Sequence, residues 1–258
     1  MKKGIAFKGL IVLFAAVFVI SGYNIVKILI EDAAAEKLYT AIEEEYVTPV
    51  TPVPEKEDTN EKLPENPVKE PKIKVDFEAL KAKNNEVVGW LYIPNSVMNY
   101  PVAKAQDNDK YLNSGLDGKY LRAGTLFADY RNKELEASSN YIIYGHNMKN
   151  GTMFGRLIGY KKQAFYDKNP TIFYLTPENN YKIELITGNV VNSNDQIYNP
   201  DLTSKEMIEI LNKYKKTAAF KSSVEFTEED KFITLSTCSY EYDEARFIVV
   251  GKITACKE

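Results

Sequence analysis

Hydrophobic and polar residues follow three patterns along this chain of 258 residues. Residues 9–26 carry no charge and are mostly apolar, and three further apolar residues, 28–30, extend this run past Lys27. Residues 46–75 mix prolines with charged residues, and from Asp76 onward short apolar runs alternate with turn residues. The pattern predicts a cytoplasmic tip with a membrane segment over residues 1–30, a helical and Pro-rich acidic stalk over 31–75, and one folded domain over 76–258.

The folded domain is predicted to be mainly β. Eight of its runs are rich in Val, Ile, Tyr, Phe and Thr and are bounded by turn residues, as is typical of β-strands. The predicted strands are Val87–Ile93, Val97–Val102, Gly124–Ala128, Tyr141–Tyr144, Thr171–Leu175, Tyr181–Val191, Phe232–Thr237 and Arg246–Thr254. Eight short strands with helical insertions predict a single closed β-barrel-like domain.

Three helices are predicted within this domain. Asp76 can cap a short N-terminal helix in which apolar residues recur at helical spacing. The segment Thr203–Glu206 has the sequence of a capping box, and Met207–Tyr214 carries apolar residues at i, i+3, i+4 and i+7. This pattern predicts a long amphipathic helix between the sixth and seventh strands. The third helix is predicted over Met153–Tyr160.

The N-terminal apolar run has the length of a membrane-spanning helix. About 20 helical residues cross a hydrocarbon core of roughly 30 Å, and Lys27 can extend its ammonium group to the interface. Lys2, Lys3 and Lys8 precede the run, so the positive-inside rule places the N-terminus in the cytoplasm and the folded domain outside the cell. A cleaved signal peptide is the alternative, although its apolar region is usually shorter.

The predicted stalk holds six of the eleven prolines of the chain within residues 46–75. Such a segment cannot bury enough apolar surface to fold, so we expect an extended spacer that lifts the domain away from the bilayer. A Pro-rich motif that binds a partner is the alternative interpretation.

Charge and residue counts narrow the possible functions. The net charge of −3 provides no general attraction for nucleic acid, so no nucleic-acid partner is predicted. One histidine and two cysteines cannot form the usual multi-histidine metal sites or a disulfide scaffold. We therefore predict no metal and no cofactor, and any histidine-dependent chemistry must use His146.

Three residues far apart in the sequence can act together chemically. His146 follows a predicted strand, Cys238 follows the seventh strand and Arg246 begins the eighth. If the last two strands form an antiparallel hairpin, Cys238 and Arg246 lie near each other across its mouth. A fixed positive charge favours a thiolate and can stabilise an oxyanion, and an imidazole can protonate a leaving amine. Together the three groups suffice for acyl transfer.

Structural roles are the alternative for the same residues. A lone cysteine at a strand end is often a small buried hydrophobic residue, and Arg246 can simply pair with an acidic neighbour. A disulfide between Cys238 and Cys256 conflicts with the hairpin. Cys256 lies ten residues past Arg246, which is about 30 Å along a strand and far beyond the roughly 7 Å that the Cα atoms of a disulfide allow.

The segments around these residues resemble the signature segments of sortases, the membrane-anchored cysteine transpeptidases of Gram-positive bacteria. The resemblance begins with Tyr144-Gly-His-Asn-Met, Thr234-Leu-Ser-Thr-Cys and Arg246. Other segments resemble class B members in their order and spacing, over most of residues 76–256. They are Asp76-Phe77, Val88–Pro94, Asn99–Val102, Asp107–Asn113, Gly124–Asn132 and the helix at 204–216.

The resemblance implies the eight-stranded sortase barrel and a two-step reaction. Cys238 is then the nucleophile, His146 the acid/base, and Arg246 the residue that orients the substrate or stabilises the oxyanion. The thiolate attacks a threonine carbonyl in the C-terminal sorting signal, of the Asn-Pro-x-Thr-x type, of a secreted surface protein. An amine of a peptidoglycan precursor or of a pilin then resolves the thioester.

The resemblance also implies positions that bind the substrate. Two of them flank the catalytic pair, two match positions near the class B groove, and three fall in a loop that helps to bind the sorting peptide. In that order they are Tyr144, Ser236, Asn108, Leu112, Ser193, Ile197 and Tyr198. The sequence departs from the best-known members in the last of these segments.

Two other functions remain open on the sequence alone. A membrane-anchored cysteine protease differs only in that water, instead of an amine, resolves the thioester. A non-catalytic barrel that binds wall polymer does not need the Cys238 thiol.

Overall fold

A computed structural model describes residues 2–50, 70–94 and 96–256. Within these residues the chain forms four α-helices and ten strands. The helices are α1 (Lys2–Tyr46), α2 (Phe77–Lys83), α3 (Gln163–Lys168) and α4 (Ser204–Lys215). The strands are β1 (Val47–Pro49), β2 (Ile73–Val75), β3 (Val87–Tyr92), β4 (Asn99–Ala103), β5 (Leu126–Ala128), β6 (Asn140–Tyr144), β7 (Thr171–Leu175), β8 (Asn180–Asn192), β9 (Lys231–Cys238) and β10 (Ala245–Ala255).

Eight strands close into one barrel, which confirms the predicted fold class. Their order around the barrel is β10, β8, β7, β3, β4, β5, β6 and β9. The pairs β4–β5 and β6–β9 are parallel, and the other neighbouring pairs are antiparallel. Every predicted strand overlaps one strand of the barrel, and α4 lies between the sixth and seventh of them as predicted.

Large side chains fill the core of the barrel. Trp90, Phe173, Tyr174 and Phe247 are each almost completely buried. The burial of a side chain of this size contributes about 2 kcal/mol to the free energy of unfolding. The one polar group of Trp90 is satisfied, because its indole N–H donates to Asn99 Oδ1 over 2.5 Å.

A second apolar cluster covers one outer face of the barrel. Helix α4 begins at a capping box in which Thr203 and Glu206 bond to each other's backbone N–H. Its apolar stripe, Met207 to Tyr214, packs on residues of β8, β9 and β10. The loop before α4 is therefore held against the barrel, and it forms one wall of the candidate site.

Several elements begin or end one or two residues from their predicted bounds, and two of the differences show a physical cause or a change of helix type. The strand predicted to begin at Gly124 begins at Leu126, because Gly124 has a φ of +60° and forms a turn. A Cβ at Gly124 would lie 2.4 Å from the Tyr111 carbonyl oxygen, so only glycine fits there. The helix predicted over Met153–Tyr160 is a 3₁₀ helix over Phe154–Lys161, and α3 follows it.

Helix α1 contains a segment long and apolar enough to cross a membrane, as an anchor or a signal sequence near an N-terminus would be. An 18-residue window in this segment has a mean hydropathy of 2.1 and no buried residue. The exposed apolar side chains include Phe14, Phe18 and Ile30.

The helix does not end with the apolar run. It continues to Tyr46, and Ala35, Tyr39, Ile42 and Tyr46 are buried at intervals of four, three and four residues. Tyr39 Oη donates to the Gly124 carbonyl oxygen over 2.5 Å. Residues 31–46 of the predicted stalk are thus helical and pack on the folded domain.

The Pro-rich part of the predicted stalk is described only at its two ends. Residues Val47–Pro49 pair with Ile73–Val75 as a two-stranded antiparallel sheet, and the Val50 N–H donates to the Lys72 carbonyl over 2.9 Å. The predicted extended spacer covers residues 46–75, and its central part, 51–69, lies outside the described residues.

Candidate active site

A groove of about 730 Å³ opens where the ends of β6, β9 and β10 meet the loops after β4 and β8. All of the site residues predicted from the sequence line it, except Ile197. The predicted residues in its lining are Asn108, Leu112, Tyr144, His146, Ser193, Tyr198, Ser236, Cys238 and Arg246. The chain therefore gathers these separated segments into one concave surface.

Cys238 is the last residue of β9 and lies directly opposite Arg246 of β10 in the antiparallel register. The hairpin expected from the sequence is thus formed, and it brings the thiol and the guanidinium to the same end of the barrel. Cys238 is half-buried and forms no disulfide, and its carbonyl oxygen accepts a hydrogen bond from Asn147 Nδ2 over 2.9 Å.

His146 reaches the same place because β6 runs parallel to β9. Tyr144 pairs with Ser236, the Gly145 N–H donates to the Ser236 carbonyl over 3.2 Å, and Thr237 Oγ1 donates to the Gly145 carbonyl over 2.7 Å. A Cβ at Gly145 would lie 2.4 Å from a methyl group of Leu126 and 2.8 Å from the Phe154 ring, so a larger residue would have to displace these two buried side chains. The next residue, His146, is consequently held beside Cys238 at the end of the two strands.

The His146 ring is oriented by a backbone group. Its Nε2 lies 2.6 Å from the Leu112 carbonyl oxygen. A carbonyl oxygen can only accept a hydrogen bond, so Nε2 carries the hydrogen in this contact. Nδ1 is then the ring nitrogen left to exchange a proton.

Arg246 is partly exposed and is held by neighbours at the start of β10. Its Nη1 donates to the Ala245 carbonyl and its Nη2 to Glu244 Oε2, each over 3.1 Å. Glu244 has a φ of 59°, which turns the chain into β10. These contacts engage only part of the guanidinium fork, which has five N–H donors.

A loop directly after Cys238 is secured by charge. Lys161 donates to Ser239 Oγ over 2.8 Å and forms an ion pair with Glu241. The hydrogen bonds from Lys161 and Ser239 lower the pKa of Glu241 to about 2. Glu241 therefore stays ionised at neutral pH, and the ion pair ties this loop to the 3₁₀ helix that follows the His146 segment.

Behind the lining of the groove lies a buried carboxylate for which the sequence predicts no role. Asp129 is fully buried and accepts hydrogen bonds from Arg131 Nε and Nη2 and from Tyr144 Oη, over 2.7–2.9 Å. Asn108 Nδ2 donates to the same carboxylate over 3.2 Å. Arg131 Nη2 also donates to the Tyr198 carbonyl over 3.1 Å. The Asp129–Arg131 pair thus connects three segments that line the groove.

Tyr198 and Ser236 form another part of the lining. The two hydroxyl groups lie 2.8 Å apart, and the Tyr198 ring stacks on Tyr144 with 6.2 Å between ring centroids. Burial raises the pKa of both phenols, so they are neutral at physiological pH and serve as hydrogen-bonding and packing groups.

Ile197 does not lie in the groove. Its side chain is fully buried in the cluster beneath α4, next to Leu202 and Met207. Its carbonyl oxygen accepts a hydrogen bond from Asn140 Nδ2 over 2.8 Å. The substrate-binding role predicted for Ile197 does not fit this position, because the side chain supports the loop from inside while the adjacent Tyr198 faces the groove.

A loss of stability is expected when the Asp129 carboxylate is removed. Burial by itself raises the pKa of Asp129, but the hydrogen bonds from Arg131 and Tyr144 outweigh it and hold the pKa below its usual value. The carboxylate therefore stabilises the fold above its unfolded-state pKa, and this contribution disappears as pH falls through the lowered pKa. Asp129→Asn should reduce the free energy of unfolding at neutral pH by about 2 kcal/mol, measured by urea denaturation.

Asp201→Asn provides the control, since Asp201 forms an exposed ion pair with Lys133 over 2.8 Å. Its loss should cost less than about 0.5 kcal/mol. The difference between wild type and Asp129→Asn should also shrink on acidification. An equal effect of the two substitutions at neutral pH would contradict the role given to Asp129.

The fold and the groove are those of a known class of enzyme. The Sortase domain family matches residues 91–254, so the chain belongs to the sortase family, whose members are transpeptidases. Its relatives and structural neighbours further place it in class B. Sortase B of Listeria monocytogenes is 35% identical over 188 residues, which are 70% of this chain and 75% of that protein. Sortase B of Staphylococcus aureus is 28% identical over 245 residues, 94% of each chain.

Solved structures give the same result. A Staphylococcus aureus sortase B-substrate complex is 31% identical, has a TM-score of 0.66, and is matched over 70% of this chain and 85% of the other. Sortase B from Bacillus anthracis is 27% identical with a TM-score of 0.70, over 88% of this chain and 99% of the other. The class B assignment made from sequence segments is therefore confirmed.

Proposed function

We propose that this protein is a membrane-anchored transpeptidase in which Cys238 attacks the sorting signal of a secreted protein. The observation that carries the proposal is the strand register, which sets Cys238 opposite Arg246 and beside the Gly145-His146 segment in one groove. One structural neighbour is a sortase B-substrate complex, which supports a peptide substrate for this groove.

The reaction proceeds in two steps. The Cys238 thiolate adds to the threonine carbonyl of an Asn-Pro-x-Thr-x-like signal, and Arg246 donates hydrogen bonds to the oxyanion that forms. His146 Nδ1 protonates the leaving amine, the peptide bond breaks and a thioester remains. An amine of a peptidoglycan precursor or a pilin then adds to the thioester, gives its proton to His146 and releases the Cys238 thiolate.

The lining residues divide the groove into a reactive end and a binding end. Cys238, His146 and Arg246 form the first, and Asn108 forms the second with the Asp129–Arg131 pair. Tyr198 joins the two, because its hydroxyl lies 2.8 Å from Ser236 Oγ and its carbonyl accepts from Arg131. Leu112, Tyr144, Ser193 and Ser236 also line the groove. We assign recognition of the residues upstream of the cleaved bond to the binding end.

Product masses test the transpeptidation. The protein is incubated with a peptide of the Asn-Pro-x-Thr-x type, with and without an added amine. We expect the amine-coupled product when the amine is present. A hydrolysed product alone, whatever the amine concentration, would instead identify a cysteine protease, and an intact peptide would favour a non-catalytic barrel for this signal.

The anchor gives the protein its proposed place in the cell. The apolar run of α1 follows three lysines, so we infer a single membrane span with a cytoplasmic N-terminus and an extracellular groove. The substrates and the wall precursor lie on that side.

A bell-shaped pH dependence of kcat/KM is expected for peptide cleavage. The reaction needs an ionised thiol and a protonated imidazole together, so the active form is lost when the solution is too acidic or too basic. His146→Ala should remove most of the activity. It should also remove the side of the bell-shaped pH profile that is set by the titration of the imidazole. A rate that stays flat from about pH 5 to about pH 10 would contradict acid–base work by His146.

A further inference from the structure

The first observation concerns the segment that carries His146 beyond the end of β6. The regular pairing of β6 with β9 ends where Tyr144 lies opposite Ser236. Two hydrogen bonds extend the pairing by one residue, since the Gly145 N–H donates to the Ser236 carbonyl and Thr237 Oγ1 donates to the Gly145 carbonyl. These bonds hold the backbone of His146 to β9 on its N-terminal side.

Asn147 holds the backbone on the other side of His146. Its Nδ2 donates to the Cys238 carbonyl over 2.9 Å, so the residues before and after His146 are both bonded to β9. The side-chain amide takes the place of the next backbone hydrogen bond between the strands. Its acceptor belongs to the residue of the proposed nucleophile, which is itself fixed by pairing with Arg246. The bond therefore sets the position of the His146 backbone relative to the thiol.

The turn that follows Asn147 is closed and anchored in the core. Asn147 and Met153 form an antiparallel bridge, and the Gly151 N–H donates to the Met148 carbonyl over 3.0 Å. Met148 and Met153 are both buried in the main apolar cluster. Met153 has a φ of 49° and a ψ of −134°, a conformation that residues with a side chain rarely adopt and that is found most often at functional sites. The turn thus holds Asn147 in place from behind.

Asn147 is placed to act on its neighbours and not on a substrate. It is half-buried, and it does not line the groove, whereas Gly145 and His146 do. Its amide donates to a backbone carbonyl, a group that takes no part in the proposed chemistry. An effect of Asn147 on the reaction must therefore pass through the geometry of His146 and Cys238.

We propose that Asn147 is a positioning residue that holds the His146 imidazole at the distance from Cys238 that proton transfer to the leaving amine requires. The inference rests on the proposed function. The Leu112 carbonyl fixes the orientation of the ring through Nε2, and Asn147 fixes the backbone from which the ring extends. A shift of about 1 Å in a catalytic group can lower the rate by about 10²-fold, so the loss of this one hydrogen bond is measurable in kcat.

Asn147→Ala should lower kcat for cleavage of a peptide of the Asn-Pro-x-Thr-x type by about 30-fold and leave KM within about twofold of wild type. Asn147→Leu should have the same effect, because leucine keeps the branched shape of the side chain but has no N–H to donate. Lys149→Ala, at an exposed position in the same turn, is the control and should keep the wild-type kcat. The full chain is assayed in detergent micelles, and the midpoint of urea denaturation shows that each variant is folded.

A thioester substrate separates positioning of His146 from a general effect on the site. In this substrate a thiol replaces the amine that is bonded to the threonine carbonyl. The Cys238 thiolate adds to that carbonyl, the carbon–sulfur bond breaks, and the leaving group departs as a thiolate that needs no proton from His146. The loss of kcat/KM caused by Asn147→Ala should therefore be at least about tenfold larger for the peptide than for the thioester.

A double-mutant cycle supplies the second readout. If Asn147 acts through His146, Asn147→Ala should change peptide cleavage by less than about twofold once His146 is already alanine. Equal losses for the peptide and the thioester, or an undiminished loss in the His146→Ala background, would overturn the positioning role while the proposed function stands. A wild-type protein that cleaves neither substrate would instead overturn the proposed function, and this inference with it.

Discussion

Cys238→Ala should abolish both cleavage and transpeptidation while the protein stays folded. The substitution removes the thiol that forms the proposed thioester in the groove, and loss of a nucleophile typically lowers kcat by about 10⁴-fold or more. Cys238 is half-buried at a strand end, so loss of its sulfur should change the free energy of unfolding by less than about 1 kcal/mol. Peptide cleavage and urea denaturation measure the two effects separately.

Cys256→Ala is the matched control. Cys256 is the other cysteine of the chain, also half-buried and unpaired, but it follows the far end of β10 and lines no part of the groove. Its loss should leave kcat/KM unchanged. Substantial residual transpeptidation by Cys238→Ala would show that the groove is not the reactive site, and the proposed mechanism would fail.

Arg246→Gln should give the second large effect, a fall in kcat/KM of about 10³-fold. Removal of one oxyanion donor usually costs a factor of about 10²–10³, and the guanidinium also contributes its charge. Arg246→Lys keeps the charge but loses the planar fork, so we expect a loss of about 10²-fold. Glu244→Gln removes only the carboxylate that holds Arg246 Nη2 and should stay within about threefold of wild type.

The rate of alkylation of Cys238 by iodoacetamide separates two roles for Arg246. In a Cys256→Ala background this rate reports how much reactive thiolate is present. If Arg246 acts on the oxyanion, Arg246→Gln lowers peptide cleavage but leaves alkylation nearly unchanged. A parallel fall in both rates would assign Arg246 to the thiolate instead, and cleavage within about tenfold of wild type would contradict either role.

The contacts at the binding end of the groove could not be predicted from local sequence patterns. Asp129 and Arg131 belong to a segment that carries the class B resemblance, but nothing in the sequence shows that these side chains connect Asn108, Tyr144 and Tyr198. These contacts join residues up to 67 positions apart. They depend on which loops the closed barrel brings together, and a single sequence does not encode that in any local pattern.

Ile197 illustrates the same limit at one residue. It lies next to Tyr198 in the loop before α4, and the sequence resemblance implies a substrate-binding role for both residues. The short 3₁₀ helix Gln196–Tyr198 turns Ile197 into the core and Tyr198 toward the groove. The direction of each side chain is decided by the packing of α4 on the barrel.

Much of this protein was determined by its sequence alone. The eight strands and α4 follow from runs of β-branched and aromatic residues, from turn residues and from a capping box, all of which act over a few neighbouring positions. The proximity of Cys238 and Arg246 follows from the hairpin that joins adjacent strands. Only the tertiary structure decided the packing of residues 31–46 on the barrel, the buried Asp129–Arg131 pair and the inward position of Ile197. These features arise from contacts between distant segments, whose free energy depends on the closed barrel as a whole.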